Sequence, residues 1–226
     1  MTKQQISKSS IEKSINACLL NAQRLLEDAR TLEFENPPSS KFFLSIISQE
    51  ESSKSFLLFL VKTEIIPWNN LILRAINNHV CKQLVGVAID YLDPDFDTFI
   101  SWADNPTSVP QKVKDALNLL RNEIIRKWDS KNWFWVDDYA YDSEAKKVFK
   151  GHIDETKQNA LYVNINKNAG VISTPTIITK EMAQQEFEKA GRFLSFGNSV
   201  TKVERNHFRN YQEIENGFRA LFSDLT

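Results

Sequence analysis

The chain has 226 residues, 42% of them hydrophobic, with a formal net charge of -1 and a sequence pI of about 6.3. This length suits one domain of generous size, or a domain with an appendage, and the hydrophobic content is enough to build a core. The near-neutral charge excludes a global basic field, so any contact with RNA or DNA must use a local patch.

Cysteine usage and hydropathy indicate the compartment. Cys18 and Cys81, the two cysteines of the sequence, form no Cys-x-x-Cys motif, which indicates free thiols in a reducing environment. The polar segment 1–10 lacks the apolar centre of a signal peptide. The longest apolar run, 56–61, is too short to cross a bilayer. We therefore expect a cytoplasmic protein without membrane association.

The first part of the chain predicts two long helices joined by a short turn. Ser9 and Glu12 have the spacing of a capping box at the start of the first helix. Pro37 and Pro38 follow its end, and Ser39 or Ser40 is the predicted cap of a second helix that runs to about Ile66. The first helix carries an apolar seam typical of antiparallel packing, formed by Ile11, Ile15, Cys18, Ala22, Leu25, Ala29 and Leu32.

The stretch 42–64 dominates the second helix and contains neither Gly nor Pro. At roughly 100° per residue, its apolar side chains share one stripe. Glu50 and Lys54 lie in the middle of that stripe, with Glu51 at its edge. Two interpretations stay open: a Glu–Lys pair at a solvent edge, or a charged patch that faces a cleft or a partner subunit. The stripe consists of Phe43, Ile47, Leu57 and Val61.

A third helix is predicted over about 71–92, with His79, Gln83 and Asp90 at the edge of its apolar side. The acidic segment 93–97 has the alternation of a calcium loop, but a threonine follows it where such a loop needs glycine. We expect a solvated loop there and no metal site.

The second half of the chain is predicted to contain further helices. One begins at 108–110 and is the most basic element, which favours a solvated face. An aromatic cluster at 128–135 either stacks nucleic-acid bases or closes one end of a core. The rest is predicted as a linker or short helix over 137–150, a helix from Asp154, an extended loop over 164–179, a helix from Thr179 to about Leu194, and a last helix over about 201–222.

Four sequence elements, in this order, resemble the AbiV family of bacterial abortive-infection proteins, which belongs to the HEPN superfamily. They are the helical segment 21–29, the Glu-Glu-x-x-Lys motif of 48–54, the His-x-x-Lys motif of 79–82, and the segment 157–164 followed by Pro175 and 178–183. The resemblance extends over about residues 16–195.

The resemblance implies an all-α fold, a HEPN-like up-and-down helical bundle that dimerises and builds a composite cleft. We expect residues 1–200 to form this domain and residues 201–226 to form a helical extension packed on it. HEPN proteins are mostly metal-independent endoribonucleases, so no cofactor and no metal are expected. Their usual signature is an arginine followed a few residues later by a histidine. Arg74 and His79 have that spacing, but Ala75 stands where the superfamily prefers a polar residue.

Cleavage of RNA by its own 2′-hydroxyl needs a base, an acid and a positive charge for the phosphorane. His79 is the candidate base or acid because its ordinary pKa lies near neutrality. Glu50 would orient Lys54 or His79, and Tyr162 would stack or donate a proton. The candidate catalytic residues are therefore Glu50, Lys54, His79, Lys82, Lys157 and Tyr162.

Three functions are compatible with this chain. The first is an anti-phage effector that cuts RNA in the cleft of a homodimer, with the second and third helices lining the interface or its cleft. The second is a non-catalytic defence protein that binds a phage or host protein, which the departure from the usual Arg…His pair favours. The third is a plain helical scaffold, which the charges at Glu50, Lys54, His79 and Lys157 argue against.

Overall fold

The computed structural model describes residues 6–95, 98, 109–126, 141–202, 208 and 210–223. The elements of this part of the chain are almost entirely helical, which confirms the all-α prediction. In chain order they are α1 (Lys8–Thr31), α2 (Ser39–Lys62), α3 (Asn70–Asn77), α4 (His79–Leu92), α5 (Gln111–Arg126), α6 (Ser143–Phe149), α7 (His152–Asn159), β1 (Asn164–Asn166), β2 (Gly170–Ser173), a 3-10 turn (Pro175–Ile177), α8 (Lys180–Thr201) and α9 (Tyr211–Phe222).

The helices α1 and α2 form the predicted αα-hairpin, with caps that differ from the prediction. The side chain of Ser7, not Ser9, accepts from the Ser10 amide and begins α1. Pro38 precedes α2 and provides no side-chain cap. The small residues of the seam let the helices approach closely, because Ala22 is fully buried and its carbonyl accepts a hydrogen bond of 2.8 Å from the Ser48 hydroxyl of α2.

Helix α2 is the central element, enclosed by α1, α4 and α8, and none of its residues is exposed. The close packing depends on small side chains. A Cβ added at Gly197 of α8 would lie 2.7 Å from Leu19 Cδ2 and 3.3 Å from Ser55 Oγ. The prediction of one apolar stripe is therefore incomplete, since the polar side of α2 is buried as well. Its buried polar residues include Ser45, Ser48, Gln49, Glu50, Ser52, Ser53 and Ser55.

The predicted third helix is two helices, α3 and α4, separated by Asn78 in an extended conformation (φ -97°, ψ 126°). The Asn78 side-chain oxygen accepts from the Cys81 amide at 3.0 Å, and its amide group donates to Glu123 of α5 at 3.2 Å. Asn78 thus ends α3 and caps α4. As a result His79 is the first residue of α4, where its side chain is half exposed.

The C-terminal half packs α8 against α2 and α5 against α4. It also contains the β-structure of the described chain. Residues 164–179, predicted as an extended loop, include an antiparallel hairpin in which Ile165 is opposite Val171. Helix α8 is capped by Thr179 as predicted and runs to Thr201, beyond the predicted end. Helix α9 buries Phe218, whose ring centroid is 6.0 Å from that of Phe56 in α2.

Some of the predicted segments fall wholly or partly outside the described residues. The aromatic cluster at 128–135 lies outside them. In the acidic segment, the Asp95 carboxylate accepts from the Thr98 amide at 2.8 Å. Among the helices that the structure describes, none combines the length and the hydropathy that a membrane span requires.

Candidate functional site

The centre of the site is the carboxylate of Glu50, which lies midway along α2 and is only 2% exposed. Its Oε2 atom is 2.5 Å from His79 Nδ1 and 3.0 Å from Lys82 Nζ. Its Oε1 atom accepts from Lys157 Nζ at 3.1 Å and from Gln83 Nε2 at 3.0 Å. Burial raises the pKa of Glu50, but the two lysines and the histidine outweigh it and hold that pKa below its ordinary value. Glu50 is therefore a buried carboxylate with partners on both oxygens.

Two short segments bring these partners to Glu50. Helix α4 starts at the Asn78 cap, so its first turns direct His79, Lys82 and Gln83 toward α2. Helix α7 starts after Gly151, whose backbone is left-handed with φ 82°. This helix presents Lys157, which is 5% exposed, to the same carboxylate. The site is thus assembled from three helices that are distant in sequence.

Lys157 also contacts two other members of the cluster. Its Nζ atom is 2.7 Å from Asp154 Oδ1, one turn earlier in α7, and 3.2 Å from His79 Nδ1. Glu50 and Asp154 bring two negative charges to this cluster, and Lys82 and Lys157 bring two positive charges. The buried charges are consequently balanced within one chain, as burial of ions requires.

His79 is the most accessible member of this cluster, with half of its side-chain surface exposed. An ionised carboxylate only accepts, so the 2.5 Å contact assigns the Nδ1 proton to a hydrogen bond with Glu50. With the proton there, the 3.2 Å approach of Lys157 Nζ to Nδ1 is a contact and not a hydrogen bond. That tautomer leaves the lone pair of the neutral ring on Nε2, for which the described residues provide no hydrogen-bond partner. The arrangement is a carboxylate-oriented imidazole, the kind of group that serves as a general base or acid.

A family model of AbiV HEPN domains matches residues 10–195. The chain belongs to the AbiV family of the HEPN superfamily. Searches of curated proteins and of solved structures return no match. All of the residues around Glu50 lie inside the AbiV match, so the cluster is part of the family's domain and not of the segment after it.

This AbiV-family chain brings four of the six predicted site residues together: Glu50, His79, Lys82 and Lys157. Of the two partners expected for Glu50, Lys54 or His79, the structure shows His79 and not Lys54. Lys54 Nζ is instead 3.5 Å from Glu51 Oε1, at a half-buried position of α2. Tyr162 follows α7 and is 63% exposed, with no side-chain hydrogen bond to the cluster in the described structure.

Two members of the cluster were not predicted as site residues. Gln83 lies at the same predicted helix edge as His79, and in the structure it donates a hydrogen bond to Glu50. Asp154 was only a helix start, and here it binds Lys157. The spacing of Asp154 and Lys157, three residues apart, was the available signal, because such residues face each other on a helix.

The cluster borders a small cleft and contains a set of metal-type ligands. The cleft has a volume of about 270 Å³ and is bordered by Glu50, Lys82 and Gln83 but not by His79. It is slightly smaller than the roughly 300–1,000 Å³ of usual ligand pockets. Donor atoms of Glu50, His79 and Asp154 lie within 4.8 Å of one another.

Proposed function

We propose that this AbiV-family chain is an abortive-infection effector that acts inside the bacterial cell during phage attack and cleaves RNA without a metal ion. One observation carries the proposal: the 2.5 Å contact between the buried Glu50 carboxylate and Nδ1 of the half-exposed His79. A buried carboxylate that orients an accessible imidazole is the arrangement by which proteins produce a general base.

In the proposed reaction, Nε2 of His79 removes the proton of a ribose 2′-hydroxyl. The 2′-oxygen attacks the adjacent phosphorus, the bond from phosphorus to the 5′-oxygen breaks, and a 2′,3′-cyclic phosphate forms. Glu50 stabilises the imidazolium produced in the first step. The proton on Nε2 is then available to the leaving 5′-oxygen or to solvent, so the histidine is regenerated.

The negative charge of the phosphorane needs a cation. Lys82 and Lys157 are buried against carboxylates, so they act mainly by setting the electrostatics of Glu50. Lys54, whose side chain is 27% exposed, and residues of a second copy are the better candidates for direct contact with phosphate.

A homodimer is part of the proposal, but the argument for it differs from the one based on the charged stripe of the second helix. The charges of α2 no longer argue for an interface, because Glu50 is fully partnered within its own chain. The argument is now chemical. Each copy presents one accessible imidazole in the cluster, and two copies facing a common cleft would supply a base and an acid to the same phosphate.

The test is cleavage of a single-stranded RNA by purified protein in the presence of EDTA. His79→Ala should abolish cleavage and phage protection, while the free energy of unfolding changes by about 1 kcal/mol or less because the ring is half exposed. His152→Ala is the matched control, since His152 is also an exposed first residue of a helix. A His79→Ala protein that still cleaves RNA would remove His79 from the mechanism.

A second candidate function is supported by a different surface. The segment 161–177 exposes a group of apolar side chains that is suited to a protein partner. In that case the chain would be a defence protein that binds a phage or host protein without catalysis. Loss of protection on hairpin substitution, together with full protection by His79→Ala, would favour this function over RNA cleavage. The exposed side chains are Leu161, Tyr162, Val163, Ile165, Val171, Ile172 and Ile177.

A further inference from the structure

The ammonium of Lys157 is surrounded by three groups that are metal ligands in other proteins. Its Nζ atom is 2.7 Å from Asp154 Oδ1, 3.1 Å from Glu50 Oε1 and 3.2 Å from His79 Nδ1. The same three residues have donor atoms within 4.8 Å of one another. Lys157 therefore places a positive charge at the point where these ligands converge.

The chemistry of this ligand set fits a divalent transition metal. One imidazole and two carboxylates provide three ligands, and catalytic zinc sites commonly use three protein ligands with a water in the fourth position. The imidazole would bind the metal through Nδ1, so the ring proton moves from Nδ1 to Nε2 in the metal-bound form. The side chains of His79 and Asp154 are 50% and 28% exposed, so one side of the set is open to solvent. Metal bonds of about 2.0–2.2 Å are shorter than the contacts to Lys157, so the ligands must close in by about 1 Å.

The charge balance points in the same direction. Two carboxylates, Glu50 and Asp154, face two ammonium groups, Lys82 and Lys157. Removal of the Lys157 ammonium leaves one uncompensated negative charge in a largely buried cluster, which favours capture of a cation from solution. Removal of the Lys82 ammonium changes the charge equally but leaves the convergence point filled.

We propose that Glu50, His79 and Asp154 form a latent divalent-metal site whose cation position is filled in this chain by Lys157. The tethered ammonium keeps metal ions out and supplies the positive charge that orders the three ligands. Substitution of Lys157 by a smaller neutral residue converts the cluster into a metal site. The inference does not depend on RNA cleavage, because its test measures metal binding.

The experiment compares purified Lys157→Ala with the unmodified chain and with Lys82→Ala, using Co²⁺ absorption and Zn²⁺ titration calorimetry. Lys157→Ala should bind one equivalent with a Kd lowered by more than about 100-fold, above the 10- to 100-fold range of outer-shell changes. Lys82→Ala is the matched control, because it removes an equally buried ammonium 3.0 Å from Glu50 and should gain no such site.

Two further variants keep the test decisive. His79→Ala added to Lys157→Ala should abolish the new site, and Lys157→His should bind more tightly because it adds a fourth ligand. If Lys157→Ala loses its helical circular dichroism, Zn²⁺ should restore it, since metal binding and folding are coupled. The inference is overturned if Lys157→Ala binds no better than Lys82→Ala, if binding survives loss of His79, or if an unfolded Lys157→Ala stays unfolded with Zn²⁺.

Discussion

Two regions of this chain reverse the usual placement of side chains. The cluster around Glu50 buries charges, and the segment 161–177 exposes large apolar residues. Glu50, Lys82 and Lys157 are each at most 7% exposed, whereas Ile165 on the hairpin is 73% exposed. In the described part of the chain, most of the exposed large apolar side chains belong to that segment, and the others are Leu20, Phe34 and Leu73.

The two regions differ in whether their unusual side chains have partners within the chain. Both oxygens of Glu50 have partners inside the chain, so the cluster needs nothing from outside to be stable as it is. The apolar side chains of the hairpin have their surface in water, which is unfavourable. The cluster is therefore where chemistry is expected, and the hairpin is where association is expected.

The largest effect should come from Glu50→Ala. This change leaves two buried ammonium groups without their shared carboxylate, and loss of one side of a buried ion pair costs about 3–5 kcal/mol. Urea denaturation should show a decrease of that size in the free energy of unfolding. Glu51→Ala is the control, because the Glu51 side chain is more exposed, at 15%, and its ion pair with Lys54 Nζ is long, at 3.5 Å. Equal costs for the two variants would mean that the buried network is not what distinguishes Glu50.

A pH series should report the same network. Folding lowers the pKa of Glu50 from its ordinary value of 4.5, so its contribution to stability is complete above the unfolded-state pKa. That contribution is lost as the pH falls through the lower, folded-state pKa. The melting temperature of the unmodified chain should fall below about pH 4.5 more steeply than that of Glu50→Gln. Parallel curves for the two proteins would contradict the lowered pKa.

The helical fold was predictable because its signals are local. The seam of α1 and the Thr179 cap of α8 need only neighbouring residues to be recognised, and both are confirmed. The break at Asn78 was missed because the segment 71–92 keeps its helical period across it. What ends α3 there is a side-chain cap to Cys81 together with a bond to Glu123 of α5, and the second contact is tertiary.

The site was only partly predictable because its contacts are tertiary. The sequence singles out Glu50, His79, Lys82 and Lys157 as candidates, but it leaves Lys54 open beside His79 as the partner of Glu50, because residues four apart meet on a helix. The actual partners His79 and Lys157 are 29 and 107 residues away. The spacing of residues on one helix cannot predict partners from distant helices. The partners of a buried carboxylate depend on which cations the tertiary structure places beside it.

Lys54→Ala tests whether Lys54 supports Glu50, and its effect on stability should be intermediate. Lys54 is half buried and contacts Glu51, not Glu50, so its loss should cost about 1 kcal/mol or less. Lys82→Ala removes a buried partner of Glu50 and should cost clearly more. Thermal and urea unfolding of the two variants provide the comparison. A larger loss for Lys54→Ala would indicate that Lys54 supports Glu50 after all.

The smallest effect on stability should come from the hairpin. Ile165→Asn replaces a side chain that is 73% exposed, so the free energy of unfolding should change by no more than about 0.5 kcal/mol. Self-association should respond instead, because burial of this surface is what would favour a second copy. Light scattering should show less dimer for Ile165→Asn than for the unmodified chain.

Leu20→Asn, at a 67% exposed position of α1, is the matched control and should leave the dimer unchanged. Equal masses for both variants and the unmodified chain would separate the hairpin from self-association and leave a different protein as its partner.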